Sequence, residues 1–161
     1  MIQFIPMQKQ HISGVLAIED VSFPTPWSQQ SFEYEVEDNT FARYLVAVQD
    51  GQVLGYGGMW IILDESHVTN IAIHPAYRQQ GLGRQLLCNL VAWASQLGCR
   101  QMTLEVRISN AVARRLYEGC GFIQRGIRKG YYTDNHEDAL IMWNDQLASV
   151  GCGQNERCNH E

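Results

Sequence analysis

The sequence predicts an α/β domain with a mixed, mostly antiparallel central sheet and flanking helices. Three observations support this class. First, several segments have the period-two alternation or the short apolar runs that are typical of strands. Second, a two-residue turn signal joins two of these predicted strands. Third, a long amphipathic helix follows another predicted strand. The length of 161 residues is typical of a single compact domain.

The first part of the chain predicts one strand and two helices. Residues 2–5 form the strand, and residues 11–21 carry apolar side chains at helical spacing. Residues 23–27 contain two prolines around one residue, which favours an extended loop. Ser28 then has the character of an N-cap for a second helix.

The middle of the chain predicts three further strands. Residues 44–48 are followed by Asp50 and Gly51, a strong signal for a two-residue hairpin turn. The returning strand, residues 53–63, is apolar, and we expect its three glycines to break it. Residues 66–74 form the next strand.

The remaining elements are one long helix, a strand, a short helix and two closing strands. Residues 83–97 form the long helix with one apolar stripe, and Gly98 ends it. Residues 101–107 alternate between apolar and polar side chains. Asn110 caps the short helix, which extends to residue 119. The closing strands are residues 122–128 and 139–143.

These elements form one domain, residues 1–147, followed by a tail of residues 148–161. The tail is polar, contains glycine and lacks periodic apolar residues. We therefore expect it to be disordered.

Composition and charge exclude several classes of protein. A hydrophobic content of 45% and a charged content of 18% are ordinary for a globular domain. The net charge of −5 argues against direct nucleic-acid binding and weakly favours a cationic substrate. No apolar run is long enough for a membrane span, and the N-terminus does not resemble a signal peptide. The five cysteines do not form a typical disulfide pattern, so we expect a cytoplasmic protein.

A glycine-containing loop before the long helix is the most informative segment. Residues 78–83 read Arg-Gln-Gln-Gly-Leu-Gly. Helix N-termini bind phosphates, Gly81 and Gly83 would let a pyrophosphate approach closely, and Arg78 and Arg84 could add positive charge. A tight structural turn would explain the glycines equally well. The loop is neither a Walker motif nor a dinucleotide-binding motif.

Two side chains are candidates for proton transfer. Glu105 lies on the polar face of its strand, and Tyr117 lies on the short helix. From spacing alone, the simpler interpretations are favoured: an exposed Glu105 paired with Arg107, and a Tyr117 that only packs.

Four aromatic residues are candidates for a substrate slot. Tyr131 and Tyr132 lie near a hairpin tip, where they could line the slot or pack across strands. Phe23 and Trp27 could line the opposite wall or hold the first two helices together.

No metal site is expected. His67 and His74 lie seven residues apart and are predicted on opposite faces of one strand. The tail residues Cys152, Cys158 and His160 match no common zinc pattern.

Four motifs in order resemble the Gcn5-related N-acetyltransferase (GNAT) superfamily, over about residues 2–145. The loop at residues 78–83 resembles its pyrophosphate loop, Q/R-x-x-G-x-G/A. The other motifs are residues 69–73 with Pro75, residues 104–107 with residues 109–111, and residues 116–118 with Gly121 and Phe122.

This resemblance implies an acetyl-CoA-dependent N-acetyltransferase whose fourth and fifth strands splay apart. The pantetheine arm would pair with the open edge of the fourth strand, and Asn110 would contact the cofactor as well as cap its helix. Glu105 would be the general base, directly or through a water, and Tyr117 the general acid toward the coenzyme A sulfur. The implied cofactor contacts are Ile71, Ala72, Ile73, Arg78, Gln79, Gln80, Gly81, Leu82, Gly83, Arg84 and Asn110.

Within the superfamily, three segments resemble the RimI family of bacterial ribosomal-protein N-terminal alanine acetyltransferases. They are residues 23–28, residues 104–107, and Arg128 with Tyr131 and Tyr132. The resemblance implies that the acceptor is the N-terminal alanine of the eighteenth small-subunit ribosomal protein. Thr133 departs from the proline that often follows the paired tyrosines. A small-amine or lysine acetyltransferase, or a non-catalytic acyl-CoA-binding module, remains an alternative, and the oligomeric state is open.

Overall fold

The structure is a computed structural model and describes residues 1–147, so the prediction for residues 148–161 lies outside the described residues. The strands are β1 (Gln3–Pro6), β2 (Ala42–Gln49), β3 (Gln52–Ile62), β4 (Glu65–Ile73), β5 (Gln101–Arg107), β6 (Ile123–Arg128) and β7 (Ala139–Asn144). The helices are α1 (Ile12–Ser22), α2 (Gln29–Glu37), α3 (Leu82–Gln96) and α4 (Ala111–Gly119). Every predicted element is present, with its ends shifted by no more than two residues.

The strands form one sheet in the order β1-β2-β3-β4-β5-β7-β6. Every neighbouring pair is antiparallel except β4 and β5, which are parallel. The parallel pair is short: residues 65–67 of β4 pair with residues 101–103 of β5, and the strands then separate. The predicted mixed, mostly antiparallel sheet with a splayed fourth and fifth strand is therefore confirmed.

Helices cover both faces of the sheet and create two apolar layers. Leu86 and Leu90 of α3 belong to one buried cluster, which also includes Tyr117 of α4. Ile18 of α1 and Phe32 of α2 belong to the other cluster. Within residues 1–147, no helix combines the length and apolar character that crossing a membrane requires.

The glycines of β3 do not break the strand, contrary to the expectation from sequence. The strand is continuous and has two irregularities in its pairing: one with β4, between Gly58 and Met59, and one with β2, opposite the step from Ala47 to Val48. A Cβ atom at Gly58 would lie 2.1 Å from the Tyr44 ring, so this glycine permits a close side-chain approach. Tyr44 thereby reaches across the sheet, and its hydroxyl lies 2.8 Å from Thr69 Oγ1.

The turn between β2 and β3 confirms the hairpin signal. Asp50 and Gly51 both have positive φ, 51° and 78°. Two consecutive residues in this region are the requirement of a type I′ turn.

Candidate active site

The glycine-containing loop connects β4 to the N-terminus of α3. Gln79 and Gly81 adopt left-handed backbone conformations, with φ of 64° and 79°. Gly81 is the N-cap of α3, and no side chain caps the helix there. Glycine offers no side-chain acceptor to the first amides of α3, and a helix N-terminus of this kind suits the binding of an anionic group.

Two arginines flank this loop. Arg78 donates from Nε to the carbonyl of Ile73 at 2.9 Å and from Nη2 to Ser22 Oγ at 3.1 Å. It therefore ties the loop to the end of β4 and to the end of α1. Arg84 lies against α4, because a Cβ atom at Gly119 would meet its Nη2 at 3.2 Å.

In the described part of the chain, the splay leaves residues of β4 beyond His67 without a paired strand on the β5 side. Backbone groups of an antiparallel strand alternate between its two edges. The bond from His74 N to Leu54 O fixes this alternation. It directs the groups of Ala72 toward β3 and those of Ile71 and Ile73 toward the open edge. Asn70 also lies in this part of β4, and its Nδ2 is buried without a hydrogen-bond partner in the described part of the chain.

Glu105 lies on β5 just beyond the point where the strands separate. Its side chain is 9% exposed, and its Oε2 lies 2.6 Å from Nε2 of His67. Burial by itself would raise the pKa of this carboxyl. The hydrogen bond and the charge of His67, with the charge of Arg128, instead lower the pKa of Glu105 below its usual value. Glu105 is neither solvent-exposed nor paired with Arg107.

Arg107, two residues further along β5, organises the loop between β6 and β7. Its guanidinium binds Asp134 at 2.9 Å and Glu137 at 3.4 Å. Its Cζ lies 3.9 Å from the centre of the Tyr132 ring. Glu137 also accepts a hydrogen bond from the backbone of Ser109 at 2.7 Å. The loop that carries the paired tyrosines is therefore attached to the end of β5.

The two tyrosines of this loop lie within electrostatic reach of Glu105. Their rings contact edge to face, with 5.1 Å between centres. Burial and then the charge of Glu105 raise the pKa of Tyr131, against the opposing charge of Arg128. Burial raises the pKa of Tyr132 to about 12, although Arg107 opposes it. The structure therefore brings Tyr131 and Tyr132 together with the predicted base.

Tyr117 packs in the apolar layer beneath the site. It is 6% exposed, and its ring lies 6.0 Å from that of Phe122. Burial, followed by the charges of Tyr132 and Cys120, strongly raises the pKa of its hydroxyl. A phenol of this kind remains protonated at neutral pH. At the start of the same helix, Asn110 Oδ1 accepts from the amide of Ala113 at 3.1 Å, so the predicted cap is confirmed.

Phe23 and Trp27 occupy the loop between α1 and α2. Both are partly buried against the apolar layer of these helices, and the Trp27 ring lies 5.4 Å from that of Phe32. The Trp27 amide donates to Glu19 Oε1 at 3.0 Å, and the buried Glu19 also accepts from the hydroxyl of Tyr56. The predicted packing role is thus present, and Trp27 also lines a cleft with Tyr34 and Trp60.

The sequence alone did not reveal the contacts that His67, Glu19 and Asn70 make in this region. His67 was considered only as a metal ligand, and its partner lies 38 residues away. The partner of Glu19, Tyr56, lies 37 residues away. No local spacing reveals such contacts. Within residues 1–147, no group of three or more histidine, cysteine or acidic side chains is arranged to hold a metal.

The fold and this site define the class of protein. Residues 12–122 match the model of the acetyltransferase (GNAT) family, and the chain belongs to this family. GNAT enzymes transfer an acetyl group from acetyl-CoA, so the chain is an acyltransferase with acetyl-CoA as its cosubstrate. The resemblance inferred from the four motifs is confirmed.

Similar proteins narrow the resemblance to one group within this family. A protein of Bacillus subtilis (strain 168) is 47% identical over 137 residues, which are 85% of this chain and 91% of the relative. The structure of the ribosomal-protein-S18-alanine N-acetyltransferase from Escherichia coli has a TM-score of 0.82 and 34% identity, covering 89% of this chain and 93% of that one. The resemblance to the RimI family of ribosomal-protein N-terminal alanine acetyltransferases is also confirmed.

The same fold also occurs in enzymes that act on small amines. A chimera of the spermidine N-acetyltransferase from Vibrio cholerae has a TM-score of 0.81 at 17% identity, covering 92% of this chain and 97% of that one. At this identity the likeness shows the fold alone. The fold by itself therefore does not identify the acceptor.

Proposed function

We propose that the chain acetylates the N-terminal α-amine of a protein, and that its acceptor is the N-terminal alanine of ribosomal protein bS18. The observation that carries this proposal is Glu105, a nearly buried carboxylate with a lowered pKa beside two tyrosines. The named activity of the E. coli enzyme supports the same acceptor. Such an enzyme would act in the cytoplasm, and residues 1–147 would form the acetyltransferase domain.

Acetyl-CoA fits the open edge of β4 and the N-terminus of α3. We assign the pantetheine arm to the edge that includes Ile71, Ala72 and Ile73, where the backbone groups of the two isoleucines face away from β3 and the Ile73 carbonyl also accepts from Arg78. The buried, unpartnered Nδ2 of Asn70 at this edge supports a ligand there. The pyrophosphate contacts are Arg78, Gln79, Gln80, Gly81, Leu82, Gly83 and Arg84, with Asn110 at the start of α4.

The reaction moves two protons away from the amine. When bound, acetyl-CoA supplies the acetyl carbon that the amine attacks and the sulfur that leaves. Glu105 is ionised at neutral pH because its pKa is lowered, so it can accept a proton from the substrate ammonium, directly or through a water. Tyr117 keeps its proton because its pKa is raised, so it can supply the proton that the sulfur gains.

An α-amine suits this base better than a lysine side chain does. The ordinary pKa of an α-amine is about 7.7–8.0, so roughly a tenth of it is neutral at pH 7. The ordinary pKa of a lysine side chain is about 10.4, and only a few parts in ten thousand are neutral. A carboxylate with a lowered pKa is a weak base. It is therefore matched to the amine that loses its proton more easily.

Aromatic side chains would form the walls of the peptide slot. Tyr131 and Tyr132 lie on one side, held by Arg107, and Phe23 and Trp27 would lie on the other. These walls favour a short N-terminal residue such as alanine. The net charge of −5 would assist the encounter with a basic peptide.

The test compares two peptides at equal concentration. One begins with a free alanine and has no lysine, and the other has the same length, a blocked N-terminus and free lysines. We expect acetyl transfer, followed by mass spectrometry, to be faster for the free N-terminus. Faster modification of the blocked peptide would contradict the proposal and favour a lysine or small-amine acetyltransferase. A chain that binds acetyl-CoA but modifies neither peptide nor spermidine would be a binding module.

A further inference from the structure

We propose that His67 is a positioning residue that orients Glu105 and carries the reaction's surplus proton to solvent. This inference rests on the proposed role of Glu105 as the base. His67 belongs to β4 and Glu105 to β5, and their side chains meet where the two strands separate.

The geometry of the pair is set by the short parallel ladder. His67 forms the last pair of that ladder, opposite Thr103, and Glu105 follows Thr103 on the same face of β5. Beyond this point the strands diverge, and the contact of 2.6 Å between Nε2 and Oε2 bridges the gap. Within residues 1–147, His67 is the one side chain that hydrogen-bonds the Glu105 carboxylate. The imidazole therefore fixes the orientation of this carboxylate.

The stoichiometry of the reaction requires an exit for one proton. A nitrogen–carbon bond forms and the carbon–sulfur bond breaks. The ammonium nitrogen loses two protons, the departing sulfur gains one, and the other must reach solvent. Glu105 is poorly placed to release it, since its side chain is 9% exposed. His67 is 36% exposed and hydrogen-bonded to that carboxylate, so it connects the base to solvent.

Among the described residues 1–147, the surroundings of the pair contain no second residue suited to this task. On β4, Glu65 accepts a hydrogen bond from Gln101 at 2.8 Å. Arg128 of β6 acts on Glu105 only through its charge. Tyr131 and Tyr132, in the loop between β6 and β7, have raised pKa values and keep their protons at neutral pH. Histidine is the residue type that exchanges protons most readily near neutral pH.

The decisive variants are His67→Gln and His67→Ala. Glutamine can still donate a hydrogen bond to Glu105 but cannot carry a proton, whereas alanine removes both properties. We expect His67→Gln to lower kcat by about tenfold, less than the roughly 10²- to 10⁴-fold for losing a general acid or base, because His67 acts through Glu105. We also expect a changed pH profile and little change in the KM for acetyl-CoA. We expect His67→Ala to lose more activity and to be partly rescued by added imidazole. Imidazole should not accelerate the wild-type enzyme.

A second measurement does not depend on turnover. At neutral pH, the imidazole NMR signals of His67 should have different chemical shifts in the wild type and in Glu105→Gln, because the variant replaces the carboxylate that the ring contacts at 2.6 Å. Identical chemical shifts would overturn the proposal, as would a His67→Gln variant with wild-type kcat at every pH. Loss of activity with an unchanged pH profile and no imidazole rescue would show a merely structural role and would also overturn it. Full activity of Glu105→Gln would instead refute the assignment of the base itself.

Discussion

The two halves of the site, the cofactor side and the acceptor side, are built by different means. On the cofactor side, the loop before α3 uses backbone conformation: the left-handed Gln79 and Gly81 and a helix N-terminus without a side-chain cap. On the acceptor side, side chains far apart in sequence bind each other. His67 and Glu105 are separated by 38 residues, and Arg107 and Asp134 by 27.

This difference follows from what each half must bind. A pyrophosphate is recognised by amide groups and a helix dipole, which any short stretch with suitable backbone angles can present. Proton transfer requires a carboxylate and a phenol with adjusted pKa values, and neighbouring groups make that adjustment. Substitutions on the cofactor side should therefore change affinity for acetyl-CoA, whereas those on the acceptor side should change the rate or the affinity for the peptide.

The largest effect is expected from Glu105 and Tyr117, the proposed base and acid. Glu105→Gln and Tyr117→Phe should each lower kcat by about 10²- to 10⁴-fold, with little change in acetyl-CoA binding. The loss in Glu105→Gln should be greatest at low pH. The lowered pKa keeps Glu105 ionised there, while more of the substrate amine is protonated and needs a base.

Steady-state kinetics between pH 6 and pH 9, together with calorimetric binding of acetyl-CoA, would measure both changes. If both variants retained wild-type kcat throughout, water or backbone groups would carry the protons. Side chains on the acceptor side would then not be needed for proton transfer, and the two halves of the site would not differ in this respect.

An intermediate effect is expected from Gly83 in the first turn of α3. A Cβ atom there would lie 3.6 Å from Leu116 Cδ2 and 3.7 Å from Ile73 Cγ1, which are ordinary contact distances. Gly83→Ala should therefore preserve the fold. Gly83→Val adds bulk between β4 and α4 and should weaken acetyl-CoA binding at least about tenfold, roughly 1.4 kcal/mol. Calorimetric titration of the two folded variants measures the effect, and unchanged affinity of the valine variant would remove this loop from the cofactor site.

The smallest effect is expected from Arg107, which contacts the tyrosine loop rather than the reacting groups. Arg107→Met should raise the KM for the peptide about threefold to tenfold and leave acetyl-CoA affinity unchanged. We expect this because two carboxylates and the Tyr132 ring lose their shared partner. Arg125→Met removes an exposed ion pair with Asp145 and serves as the matched control. An equal change in both variants would mean that the loop does not depend on Arg107.

The pH dependence of this contact has a defined sign. The hydrogen bond from Arg107 is the first cause of the lowered pKa of Asp134, and contacts with Ser109 and Arg107 lower the pKa of Glu137. Carboxyls with lowered pKa values stabilise the folded loop above their ordinary pKa values. That contribution is lost as the pH falls through the lowered values. The difference in KM between wild type and Arg107→Met should therefore be full at neutral pH.

Much of the fold could be predicted because its signals are local. The hairpin at Asp50 and Gly51 and the caps at Ser28 and Asn110 depend on residues within a few positions of each other. The glycines of β3 were misjudged because their reason lies on other elements. The Tyr44 ring fills the space where a Gly58 side chain would be.

Local sequence patterns were enough to predict the order of the elements and a candidate phosphate-binding loop, whereas the resemblance to the GNAT superfamily was needed to name Glu105 as the candidate base and Tyr117 as the candidate acid. Only the tertiary structure shows that Glu105 is buried and bound to His67 and that Arg107 holds the tyrosine loop. It also shows that Ala72 directs its backbone groups away from the open edge of β4. The physical reason is the distance along the sequence over which each interaction acts. Turn and cap preferences act between neighbouring residues, whereas burial, pKa values and ion pairs depend on strand register and on the point where β4 and β5 separate.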